Sequence, residues 1–144
     1  MSYERMIAEH GQIDRGLYRL QLLIEAHEPD ASAITILLSD LSQDLSAHLD
    51  YEDSIVYPRM LASPDEHTST TARAFVEDFA QLRGDWELYL SEWNRDCIVA
   101  DWAEFRRYTR SMIDRLTARI RAENELLYTA ALQAGAIRLR RRAA

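Results

Sequence analysis

Apolar residues recur every three or four positions over most of the chain, and breaker clusters divide that pattern into four stretches. The first reads Tyr3, Met6, Ile7, Ile13, Leu17, Leu20 and Ile24, and the second Ile34, Leu37, Leu38, Leu41, Leu45 and Ile55. The third reads Phe75, Phe79, Leu82, Trp86 and Leu90, and the fourth Phe105, Tyr108, Met112, Leu116, Leu126 and Leu127. This spacing lines one face of a helix with apolar side chains. Glu28-Pro29-Asp30, Ala62-Ser63-Pro64-Asp65 and Asn94-Arg95-Asp96 separate the stretches. Asp30-Ala31-Ser32 supplies capping side chains for the second helix; Ser63, with Pro64 and Glu66 after it, is the expected N-cap of the third. Short turns between amphipathic helices predict an all-α, antiparallel up-down-up-down four-helix bundle over residues 1–137. Residues 138–144 form a short Arg-rich tail.

The second half echoes the first. A shift of 71 residues lays Ile34 on Phe105, Leu41 on Met112, Leu45 on Leu116 and Tyr57 on Tyr128. The bundle therefore reads as two related helical hairpins.

Polar residues interrupt the stripes where core is expected. His48 and Glu52 follow Leu45, Arg119 and Glu123 follow Leu116, and His10 lies between Ile7 and Ile13. Burying such groups alone costs several kcal/mol each, so they must satisfy one another, water or a metal. His10 precedes Pro29 by 19 residues and His48 follows it by 19, which places them at equal height in an antiparallel hairpin. Arg119 and Glu123 take the corresponding places in the second hairpin. The expectation is one inner polar layer of His10, His48, Glu52, Arg119 and Glu123. Imidazoles and carboxylates converging in a helical bundle are the raw material of a non-haem iron site. A ferritin-like Glu-x-x-His pattern is absent, because no histidine has an acid three residues before it.

Composition narrows the class. The chain has 144 residues, one domain's worth, and 47% are apolar. The net charge is −7, and all 17 basic residues are arginines. An acidic chain is a poor nucleic-acid binder, and the one basic cluster, Arg138 to Arg142, ends the sequence. The single cysteine, Cys97, makes no internal disulfide. The first residues lack an apolar leader and no run is long enough to span a membrane, so a cytoplasmic protein is expected, with neither membrane nor nucleic acid as partner.

Glu9-His10 with His48-Leu49-Asp50-Tyr51-Glu52 and the following Ile55-Val56-Tyr57-Pro58 resembles the hemerythrin-like (HHE cation-binding) family. Its signature is a histidine on the first helix and His-x-x-x-Glu on the second. The resemblance covers residues 3 to 134 and is carried best by the first hairpin. It implies two irons bridged by two carboxylates, one held by each hairpin. The first iron's set is complete as His10, His48, Glu52 and Glu123. The second is not: Arg119 stands at the fourth helix's histidine position, and Ala72, or its neighbour Thr71, at the third helix's. His67 lies where some family members carry an extra ligand. A guanidinium at position 119 replaces the missing metal's charge by pairing with Glu52 and Glu123. The implied function is a non-haem protein holding at most one iron ion that binds or senses a small ligand such as O₂ or NO. The alternative is a metal-free bundle serving as a protein-interaction or regulatory module.

Overall fold

The computed structural model describes residues 3–127, 129 and 132, and no strand occurs among them. The chain runs through α1 (Tyr3–Ile24), α2 (Ala31–Tyr51), a π-helical turn (Glu52–Val56), α3 (Tyr57–Leu61), α4 (Glu66–Glu92), α5 (Arg95–Ala100), α6 (Trp102–Ala122) and a second π-helical turn (Glu123–Leu127). The two π turns are themselves separated by 71 residues, so the echo in sequence is also an echo in backbone geometry. The tail from 138 to 144, and Tyr128 of the echo, lie outside the described residues.

Side-chain caps set most helix starts. Asp30 Oδ1 accepts from Ala33 N–H at 3.1 Å, as expected. For α4 the cap is Asp65 rather than Ser63: its carboxylate accepts from Thr68 N–H at 3.1 Å, while Ser63 Oγ accepts from Asp65 N–H at 3.2 Å. A carboxylate complements the helix dipole better than a hydroxyl, and Pro64 is left in the turn. The six-residue α5 carries too few apolar positions to signal itself. Asn94 Oδ1 starts it by accepting from Cys97 N–H at 2.9 Å, and Asp101 then caps α6.

The buried seams follow alternating four- and three-residue steps. On α1 the seam is Met6, His10, Ile13, Leu17, Leu20 and Ile24; on α2 it is Ile34, Leu38, Leu41, Leu45 and His48. That step is the one by which side chains of near-parallel or antiparallel helices interlock. Contacts run in reverse order along neighbouring helices: Gln12 bonds Asp44 and His10 meets His48, while Arg115 pairs with Asp85 and Thr109 with Tyr89. On α6 the seam departs from expectation. Tyr108 is exposed, as are Leu126 in the π turn after it and Ile7 on α1, and Thr109, Ile113 and Ile120 are buried instead. An Arg106 Nε–H bond of 2.6 Å to the Ile24 carbonyl closes the C-terminal end of α1.

The core has two parts. A large one runs from Ile13 and Ile34 to Trp86 and Phe105; a smaller one gathers Met6, Tyr51, Val56, Tyr57, Met60 and Ala72. His10 of α1, His48 of α2 and Glu52 and Glu123 at the starts of the two π turns are buried and brought together.

Two glycines separate packing from propensity. A Cβ at Gly16 would lie 2.8 Å from Leu41 Cδ1, so α1 and α2 approach closely there, whereas a Cβ at Gly84 meets nothing within 4 Å. Gly84→Ala should raise stability in urea by about 0.5–1 kcal/mol through helix propensity alone. Gly16→Val should lower it by about 1–3 kcal/mol through overpacking.

Candidate metal centre

His10 and His48 face each other across α1 and α2, their Nε2 atoms 2.9 Å apart. His10 Nε2 lies 2.8 Å from Glu123 Oε2 and 4.0 Å from Glu52 Oε1. His48 Nε2 lies 2.5 Å from Glu52 Oε1 and 3.5 Å from Glu123 Oε2. All four residues are buried, and one ligand atom from each falls within 4.8 Å of every other. Donors held about 2.1 Å from one ion sit roughly 3 Å apart when adjacent and roughly 4.2 Å apart when opposite. The separations around the two histidines run from 2.5 to 4.0 Å, slightly tighter than that range. Glu52 Oε1 is also a buried oxygen without a hydrogen-bond donor, although it points at His48. A cation fits both observations.

Each ring is oriented from behind. Asn124 Oδ1 accepts from His10 Nδ1 at 2.7 Å, and Glu9 Oε1 accepts from His48 Nδ1 at 3.1 Å. With Nδ1 as donor, both Nε2 atoms turn inward, the arrangement that metal-ligating histidines use once those nitrogens give up their protons. Neither Glu9 nor Asn124 stood out in the sequence as a site residue. The available signal was adjacency, since each flanks a ligand candidate, His10 or Glu123, just off the buried seam.

Burial pulls the imidazoles toward the neutral form, but the neighbouring carboxylates of Glu123 and Glu52 outweigh it. His10 is held at about 9 and His48 at about 10, against an ordinary 6.5. For Glu123, burial is likewise overridden by His10 and His48, which hold the carboxyl well below its usual range. Three carboxylates (Glu9, Glu52, Glu123) then balance Arg119 and two imidazolium ions, with Arg5 at the solvent rim. A divalent cation in place of the two protons keeps the same balance.

The outward oxygens of the carboxylates are already engaged. Tyr57 O–H donates to Glu52 Oε2 at 2.9 Å and lies 3.4 Å from Glu123 Oε1. Arg119 Nε–H donates to Glu123 Oε1 at 2.9 Å, and its Nη2–H to Tyr57 Oη at 2.6 Å. Burial, then the charges of Glu123 and Glu52, push the Tyr57 phenol far above its ordinary pKa, so it remains a donor. Arg119 lies over the rings of Phe75 and Phe79, at 4.4 and 4.8 Å from their centroids. The expected pairing of Arg119 with both carboxylates is therefore half direct: it touches Glu123, and reaches Glu52 through Tyr57.

Residues 1–131 match the family described as hemerythrin HHE cation binding domain. The chain belongs to the hemerythrin family. No curated protein and no solved structure matches it. Membership and the buried His/Glu cluster together identify a cation-binding domain with residues fit to hold a metal.

The positions at which the resemblance expects a second ion's histidines hold other residues. Ala72 is fully buried in the smaller core, and Thr71 is partly buried beside it. His67 is exposed in the first turn of α4 and is no part of the cluster. Asp65 caps that turn, so His67 sits at the very start of the helix.

Proposed function

We propose that this hemerythrin-family chain binds one non-haem metal ion, iron, through His10, His48, Glu52 and Glu123. Its role is to bind or sense a small ligand such as O₂ or NO in the cytoplasm, within an up-down-up-down four-helix bundle. The observation that carries this reading is the inward convergence of two imidazoles and two carboxylates, each imidazole braced from behind. Iron in such a ligand set would supply open coordination positions for a diatomic molecule. The protein contributes the rest. Tyr57, packed in one buried apolar cluster with Met6, Val56 and Met60, fixes the outer oxygen of Glu52. Arg119 supplies positive charge beside Glu123, in the half where the family places a second iron.

A second reading, a metal-free module that binds a protein partner, is favoured by one observation. Hydrogen bonds and ion pairs already engage all four side chains, so the layer stands without an ion. Elemental analysis after anaerobic Fe(II) loading separates the two. About one iron per chain supports the single site, two overturns the role given to Arg119, and none leaves the interaction module. Loading at pH 7 should also release about two protons per ion, because His10 and His48 hold theirs to about 9 and 10. Titration in weakly buffered solution reads that number directly.

A further inference from the structure

The two histidines are braced by unlike groups. His10 Nδ1 meets a neutral amide, Asn124, whereas His48 Nδ1 meets a carboxylate, Glu9. Both oxygens of Glu9 are committed: Oε1 to His48, and Oε2 to Arg5 Nε at 3.1 Å. The Arg5 guanidinium in turn lies over the ring of Tyr51, 3.9 Å from its centroid. Tyr51 is buried and directly precedes Glu52, so the brace is fastened to the same stretch of chain that carries two of the candidate ligands. Glu9 itself is only partly covered, with a side chain 21% exposed, and Arg5 is 53% exposed. A carboxylate kept at a partly solvated edge is not there for packing, and an exposed arginine pair contributes little to stability.

We propose that Glu9 is a positioning residue for the metal: clamped by Arg5, it makes His48 the stronger of the two imidazole donors. The inference rests on the metal-binding reading above and adds to it the way the site is tuned from solvent. A carboxylate accepting from Nδ1–H raises the electron density at Nε2, and a neutral amide does so less. The effect favours the more positive oxidation state of a bound ion. An amide at position 9 keeps the shape and an acceptor but removes the charge.

Co(II) serves as the probe for affinity and iron for the potential. Glu9→Gln should weaken Co(II) binding by about 10- to 100-fold and change the visible absorption of the bound ion. It should also raise the Fe(III)/Fe(II) midpoint potential. Asn124→Asp, which gives His10 the brace that His48 already has, should move both quantities the opposite way. A purely structural role for Glu9 would shift unfolding without this pair of opposed effects. Unchanged affinity and potential in both variants, with intact helical circular dichroism, overturn the proposal while leaving metal binding in place. Failure of the unaltered protein to bind Co(II) or iron overturns the metal reading and the proposal together.

Discussion

Glu123→Ala should abolish metal uptake and cost the fold about 3–5 kcal/mol, the toll of leaving buried charges without their partner. Glu123 receives Arg119 directly and approaches His10, His48 and Tyr57, all inside the protein. Its removal leaves Glu52 to face three cations. Urea unfolding in the presence of a chelator measures the loss, and metal analysis measures the uptake. The deficit has a defined pH dependence. His10 and His48 have folded pKa values of about 9 and 10, above the ordinary 6.5. Their pairing therefore stabilises the metal-free protein fully below 6.5, and the contribution fades as pH rises through 9 to 10. The gap between the original and the variant should narrow over that interval. A deficit under about 1 kcal/mol, or one that widens with pH, contradicts this account of the layer. Glu123→Gln keeps the volume and should fall between the two.

Combining Ala72→His with Arg119→His should raise iron from about one to about two ions per chain. It should also bring in the absorption of a bridged diferric pair. Arg119 and Tyr57 now engage the oxygens that a second ion would need, Glu123 Oε1 and Glu52 Oε2. Removing the guanidinium releases Glu123 Oε1 and leaves the Tyr57 hydroxyl without its donor. The two new imidazoles supply what the second hairpin lacks. Ala72 has no exposed surface, so a ring there overpacks the smaller core, at about 1–3 kcal/mol. Arg119→Met removes the charge while adding no ligand, and should leave the count at one. A double variant that also stays at one iron, folded and loaded anaerobically, defeats the claim that Arg119 occupies the second ion's place.

The sequence disclosed helices and the inner polar layer for the same reason. A buried seam repeats at three and four residues, so a histidine or glutamate within it is conspicuous. His10, His48, Glu52 and Glu123 stand out in this way, and equal distance from Pro29 sets the first two at one height. What lay outside the repeat was hidden. Glu9 and Asn124 sit one position off the seam, where a polar residue is ordinary on any solvated face. Short-range competition was equally invisible: Asp65 and Ser63 both suit a cap, and only the path of the chain chooses. The rotation of α6 exposed Tyr108 and buried Thr109, which bonds the buried Tyr89 hydroxyl at 2.8 Å. Arg119 was legible as a buried cation but not in its geometry, since its route to Glu52 passes through Tyr57.

That route depends on a single surplus residue. In a regular α-helix, side chains five positions apart diverge by about 140° around the axis, so Tyr57 would face away from Glu52. The turn from Glu52 to Val56 is wider: Tyr57 N–H bonds back to the Glu52 carbonyl, five residues earlier. The extra residue per turn swings the phenol round to the carboxylate. Wound as a regular α-turn with every residue kept, the segment would carry Tyr57 about 100° round the axis and off the site, whereas deleting Ser54 would set it four residues from Glu52 and back on the same face. The chemistry here is specified by the length of the chain between two side chains as much as by the side chains themselves.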